Sequence, residues 1–435
     1  MAVAWALLAD TIPIYALYAL LFEDAGLSPA RISTLFLIWS TVGIVANVPL
    51  GAVADRFSRR AALVASGVFQ AAGYVLWITL PGYAGFAAGF VLWGLGGPFG
   101  SGALEALLYD GLSTAGAADR YPRVYSRVTA LGLLSQVPSA VAATALFATG
   151  GYDLVGWVSV ACCLGSAALA TRLPEVRRRP SGAGTETPAD AADATPADVA
   201  DPVDATGAMD LSPADAAGLS PADALGLSPA EAADFAEAGY VAVLRTGLAE
   251  AARNPAVRAA IVAVAFLGAL DSLEEYFPLL AHDWGVSTSL VPLVVLGIPL
   301  VGAAGAALGG AASRLRPRTL GLILAGAVLA FGGAGLLRRP AGVAGIAVAY
   351  GLYQLVLVVT DVRLQRRIEG DARATVTSVA ALGIDVAGVV LYGAWALDLP
   401  ILVAGLTLAM AVALPRLLRE EGTGSEARNR PPQAA

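Results

Sequence analysis

Twelve runs of about twenty apolar residues, each bounded by charged or turn residues, divide this chain and leave it few ways to fold. They lie at 3–22, 32–54, 61–80, 85–108, 124–148 and 154–173, and again at 256–280, 289–312, 319–337, 342–362, 373–396 and 399–417. A bilayer hydrocarbon core about 30 Å thick takes about 20 residues of helix per crossing, so each run has the length of a transmembrane helix. Of the 435 residues 57% are hydrophobic and 14% charged, against about 25% charged in a soluble domain, which excludes a water-soluble globular enzyme. The expected fold is an all-α integral membrane protein of twelve transmembrane helices in two six-helix bundles. The bundles occupy 1–173 and 256–418, with a cytoplasmic linker at 174–255 and a tail at 419–435.

The formal net charge of -7 says little about partners. Twelve acids and no base lie between Pro180 and Tyr240, and the remainder of the chain is +5, so no nucleic-acid partner is expected. All 27 bases are Arg; 24 fall on the side shared by both termini, and Arg31, Arg338 and Arg339 on the other. Cytoplasmic loops retain positive charge during insertion, so both termini are expected in the cytoplasm and the protein in the plasma membrane. The linker repeats an octapeptide, LSPADAAG from Leu211, LSPADALG from Leu219 and LSPAEAAD from Leu227. It has too little apolar surface to offset its ordering entropy and is expected to be disordered. Phe235, Val241, Leu244 and Leu248 then suggest an amphipathic helix on the inner membrane surface. Adjacent Cys162 and Cys163 and the lone His282 supply neither a disulfide framework nor a metal site, and no cofactor is expected.

The two halves carry related loops. Gly51-Ala-Val-Ala-Asp55-Arg56-Phe-Ser-Arg59-Arg60 follows the second run, and Gly309-Gly-Ala-Ala-Ser313-Arg314-Leu-Arg-Pro-Arg318 follows the eighth, 258 residues on, with four of ten positions identical. Paired loops half a protein apart indicate pseudo-symmetric bundles. The pattern resembles the major facilitator superfamily, whose signature between helices 2 and 3 is Gly-x-x-x-Asp-Arg-x-Gly-Arg-Arg and whose members have twelve helices in two halves. Ser58 departs from the usual Gly, and Ser313 and Pro317 depart in the second copy. The resemblance implies a conformational latch built from Gly51, Asp55, Arg56, Arg59, Arg60 and Asp110. In it Asp55 would cap the helix beginning near Arg373 to Val376, and Arg59 would reach Asp110. Such contacts would favour the outward-facing state and break on switching.

A charge near the bilayer centre costs roughly 2.5 to 3.5 kcal/mol, so an intramembrane acid usually has a task or a partner. Asp10 and Asp385 sit mid-run with no base at their depth. They are either proton or cation sites facing a central cavity, or structural acids bound to hydroxyls such as Thr11 or Ser378. Asp271 shares a helical face with Glu274 and with Glu275, where close carboxylates would hold a proton or attract a cation, unless the two glutamates reach external water. Glu105 and Asp361, near the cytoplasmic ends of the fourth and tenth runs, suit gate pairing with Arg127 or Arg363.

Pro13, Pro138, Pro278 and the glycine-rich stretch from Gly94 to Gly102 mark where helices bend around a site. Tyr15, Tyr18, Trp39, Trp93, Gln136, Tyr353 and Gln354 lie near them and either line an aromatic cavity or pack helices. The function these features predict is that of a monomeric secondary transporter, moving a small organic solute across the lipid bilayer by alternating access coupled to protons. With no fixed midplane Arg or Lys to receive an anion, efflux of drug-like compounds is favoured. Proton-coupled exporters of the resembled family carry an Arg where Phe90 stands and a Gly-Pro pair where Val137-Pro138 stands, so import or exchange of a metabolite stays open. A passive channel has no evident use for the repeated loop. No enzyme is expected, because no nucleophile and base can be paired and His282 lies in an external loop.

Overall fold

A computed structural model describes residues 2–100, 103–114, 116–117, 120–174, 253–367, 373–397 and 399–418, with the backbone alone at 2, 48–49, 51–57, 122, 126, 129, 133, 366–367, 373–375 and 400. Most of the linker, the amphipathic helix expected near its end, and the tail beyond 418 lie outside the described residues.

Among the described residues all regular structure is helical. The first half runs α1 (Ala2–Asp10), a 3-10 turn (Pro13–Ala16), α2 (Tyr18–Asp24), α3 (Pro29–Phe57), α4 (Arg59–Thr79), α5 (Tyr83–Gly100), α6 (Ala103–Thr114) and α7 (Tyr121–Ala170). The second runs α8 (Pro255–Ala269), a 3-10 segment (Leu270–Tyr276), α9 (Phe277–Asp283), α10 (Val291–Ala312), α11 (Pro317–Leu337), α12 (Gly342–Arg367), α13 (Arg373–Ala396) and α14 (Pro400–Leu417). Nine helical stretches among the described residues are long and apolar enough to cross a membrane, and Ile401–Leu417 is a shorter apolar helix. At 1.5 Å per residue α7 would extend about 75 Å, more than twice the hydrocarbon core. It is interrupted at Gly150 (φ -147°) and Gly151, whose φ of 60° and ψ of -156° are open only to glycine. The break divides α7 into two arms of membrane-crossing length, matching the fifth and sixth runs.

Helices within each half pack through small residues, the usual membrane solution. In the tightest case a Cβ at Gly305 of α10 would fall 2.0 Å from the Gly351 carbonyl oxygen of α12. The halves meet where α3 lies against α13 and α10 against α7, and where α2 approaches α9. At the end opposite the Arg-rich loops a single aromatic core spans both halves, joining Tyr18, Phe22 and Phe36 to Tyr276, Phe277 and Tyr392. Towards the Arg-rich end the described core residues form clusters confined to one half: Ala62, Leu63, Leu104 and Leu107 in the first, and two in the second, one with Ile261, Val264, Leu364 and Val376 and one with Leu320, Leu324, Val356 and Leu414.

Candidate functional site

The first and seventh apolar runs are not continuous helices. α1 stops at Asp10 and α2 begins at Tyr18; α8 stops at Ala269 and α9 begins at Phe277. Each interruption is seven residues long, and each is followed by a seven-residue helix and a left-handed glycine, Gly26 (φ 86°) and Gly285 (φ 91°). Corresponding points lie 259 residues apart, so the internal repeat extends from the loop motif to the shape of these helices. In the first interruption Pro13 has no N–H to give, and the Ile14 N–H leaves the helix ladder to donate to Ser159 Oγ at 2.9 Å. The second contains no proline; Pro278 enters only at the start of α9. A mid-span 3-10 stretch of this kind commonly marks a hinge.

Both interruptions border one cavity of about 710 Å³. Four carboxylates line it: Asp10 at the end of α1, Glu105 on α6, and Glu274 and Glu275 in the second interruption. Among the described residues no Arg lines it. Trp5, Tyr15, Tyr18, Trp93, Tyr125 and Phe277 supply aromatic surface, and Gln70 and Gln136 supply amides. Asp10 fills space that Gly132 of α7 leaves free, since a Cβ there would lie 2.5 Å from Asp10 Oδ2. The Tyr18 ring sits among those of Tyr15, Phe22, Phe36, Trp77, Phe90 and Trp93, with centroids 5.6 to 6.0 Å away. Its hydroxyl and the indole N–H of Trp5 have no hydrogen-bond partner among the described residues.

Asp271 stands behind the cavity wall. It accepts hydrogen bonds from Tyr350 Oη and Gln354 Nε2, both at 3.0 Å. Gln354 Nε2 is also 3.0 Å from Tyr350 Oη, which lies 3.5 Å from Glu274 Oε2. One phenolic hydrogen thus faces two carboxyl groups. It can serve only one, and the other can bond the phenol oxygen only by donating a proton of its own; Tyr350, which lines the cavity, connects this pair to it.

Of the residues expected at the site, Asp10, Glu274, Tyr15, Tyr18, Trp93, Gln136 and Glu105 line the cavity. Trp39 stacks behind Trp93 at 5.0 Å, and Tyr353 is buried with its hydroxyl donating at 2.8 Å to the Leu267 carbonyl near the end of α8. Neither they nor Gln354 are among the lining residues. Asp385 is exposed on α13, away from this cavity. Trp5, Gln70, Tyr125 and Tyr350 also line the cavity and were missed, with no spacing signal to single them out.

At the Arg-rich end Arg59 Nη1 donates to Asp110 Oδ2 at 2.7 Å. Ser58 Oγ accepts the Ala61 N–H at 3.0 Å and caps α4, a task the usual glycine cannot perform with a side chain. Arg60 reaches the Thr171 and Leu173 carbonyls at the end of α7, where a cation also complements the helix dipole. In the second half Arg363 of α12 donates to the carbonyls of Ser313 and Leu315. The loop there supplies acceptors and the helix the cation, the reverse of Arg59 with Asp110, which accommodates Pro317 in place of an Arg. Arg127 is exposed on α7 and Asp361 half-buried on α12. Gly51, Asp55 and Arg56 lie in the last turns of α3, with side chains outside the described residues. At the opposite end Tyr276 Oη donates to Ser33 Oγ at 2.8 Å, a buried bond between the halves.

The family model described as Major Facilitator Superfamily matches residues 1–392. Comparison with curated proteins yields no significant match. Similar solved structures include the nucleoside transporter NupG, at 11% identity and TM-score 0.65, covering 97% of this chain and 100% of that one. They also include a D-xylose-proton symporter at 14% identity and TM-score 0.61, covering 96% and 97%. A third is the POT family transporter PepTSo, at 12% identity and TM-score 0.60, covering 96% of each. At these identities the likeness is one of fold.

Proposed function

Because this chain belongs to the major facilitator superfamily, we propose that it is a secondary active transporter that carries a small organic solute out of the cell in exchange for protons. The observation that carries the reading is that the two interrupted helices, one from each half, bring Asp10, Glu274 and Glu275 to a single cavity. Discontinuous helices meeting near the midplane are how transporters build a site that both sides of the membrane can reach in turn. With the Arg-rich end cytoplasmic, the Ser33 to Tyr276 bond and the shared aromatic core close the external side. The state described is then inward-facing, and the cavity is the place where a cytoplasmic solute is captured. Glu274, Tyr350 and Asp271 form a chain along which one proton can be held or passed as the halves rock.

A second reading, import with protons, rests on Phe90. It is fully buried among aromatic rings at the position where related exporters carry an Arg.

The test is a solute screen on proteoliposomes with and without an imposed pH gradient, read for uptake, release and counterflow. Gradient-driven flux of at least one solute is expected. Asp10→Asn should abolish the driven component while preserving counterflow, and Glu274→Gln should abolish the driven component. Flux that stays linear in concentration, or driven flux intact in both variants, overturns the reading.

A further inference from the structure

We propose that the solute is an organic cation with a flat apolar face, held between the carboxylates of the second interruption and the aromatic wall of the first half; this rests on the transport reading above. Four carboxylates enter one cavity and no described Arg accompanies them. A carboxylate such as Glu275, 8% exposed, is costly to keep charged away from bulk water, and a cation beside it is the cheapest relief. An anionic solute would be repelled.

The other surface is aromatic and partly unsatisfied. Tyr15 is 46% exposed, its ring 5.6 Å from that of Trp93, which is backed in turn by the stacked ring of Trp39. Rings presented this way attract a desolvated cation through their faces, and most strongly through indole. Tyr18 is only 2% exposed, lines the same cavity and leaves its hydroxyl without a partner among the described residues. A buried hydroxyl in that condition costs free energy until a ligand or water meets it. A volume of about 710 Å³ admits a cation of two or three rings, within the range usual for small-molecule sites. A neutral polyol would satisfy the amides of Gln70 and Gln136 but bring no countercharge to Glu274 and Glu275.

The full-length protein in detergent micelles can be titrated by calorimetry with N-methyl-4-phenylpyridinium and with uncharged 4-phenylpyridine at pH 7.5. The two probes differ by one methyl group and one charge. Saturable binding of the cation is expected, tighter than that of the neutral probe by roughly tenfold or more. Glu275→Gln should weaken the cation by roughly tenfold and leave the neutral probe unaffected. Should that variant fail to fold, Glu274→Gln and Tyr15→Leu serve instead, each checked by its melting temperature. Equal affinity for the two probes, or a cation affinity indifferent to these substitutions, overturns the inference. Counterflow separates it from the transport reading. If D-xylose or uridine exchanges while the pyridinium does not bind, the cation assignment falls and transport stands. If the pyridinium binds and no solute exchanges, the site stands and transport falls.

Discussion

Replacing Asp110 tests whether the loop motif braces one half or locks the two halves together. Arg59 begins α4 and Asp110 lies on α6, both in the first half, 2.7 Å apart, with each side chain 23% exposed. A contact that must break on switching would have to part α4 from α6. Yet the pair is closed in the same structure in which Tyr276 joins Ser33 at the opposite end, the arrangement assigned above to the inward-facing state. A brace within one half moves with it and need not break. Hydrogen bonds to buried charged groups contribute about 1.5 to 3 kcal/mol, and fully exposed ion pairs about 0.2 to 1 kcal/mol. At the observed exposure Asp110→Asn should cost about 1 to 2 kcal/mol, which at about 3 °C per kcal/mol lowers the melting temperature by about 3 to 6 °C. In a cycle with Arg59→Gln, the double variant should be more stable than the sum of the singles predicts, by about 1 to 2 kcal/mol. Access is read separately, through maleimide labelling of Gln136→Cys in a background with Cys162 and Cys163 replaced by Ser. That rate should stay within about twofold of the unsubstituted pair's. A cycle without coupling, or labelling that changes more than about tenfold while the melting temperature holds, would refute the brace.

Two further outcomes follow from the packing. Tyr276→Phe keeps the ring stacked on Trp395 at 4.4 Å but loses the bond to Ser33, whose hydroxyl still donates to the Pro29 carbonyl. With about 1 kcal/mol removed from the closed external side, labelling of the same Gln136→Cys probe from outside in oriented vesicles should rise about fivefold, and an unchanged rate would mean the bond does not hold that side shut. Gly305→Leu drives its side chain into the Gly351 carbonyl, whereas Gly326→Ala meets nothing within 4 Å. The first should lose its monodisperse peak on size exclusion and the second should elute unchanged; a well-behaved Gly305→Leu would contradict the close approach of α10 and α12.

The spans were legible because membrane crossing is a matter of length and solvent, both written along the chain. The seven-residue interruption at 11–17 was signalled by Pro13; its counterpart at 270–276 contains no proline, and Pro278, two residues past it, marked the bend but not its extent. Asp10 and Asp385 were indistinguishable as mid-run acids. Only the structure separates them, since Asp10 ends a helix and enters the cavity while Asp385 sits on unbroken α13. The cavity face was harder still. A membrane helix is apolar on all sides, so periodicity cannot separate Tyr350, which lines the cavity, from Tyr353, which packs against α8 three residues on. Bonds such as Tyr350 to Asp271, 79 residues apart, depend on how α12 lies against the second interruption, which no local pattern encodes.

The two interruptions match in length and position but not in chemistry, and the mismatch bears on how binding drives motion. The first presents Tyr15 and, just past it, Tyr18; the second presents Glu274 and Glu275. A solute touching both meets the Tyr15 and Tyr18 rings on one half and the Glu274 and Glu275 carboxylates on the other, so its full binding free energy is available only while the halves enclose it. A ligand shifts a conformational equilibrium by no more than its differential affinity for the states. Dividing recognition across the moving boundary makes that difference large. A proton taken up by Glu274 or Glu275 would remove part of the charged attraction and weaken the hold of the second interruption. Release on the far side then requires no new contact to form, only a carboxylate to be protonated where the pH is lower.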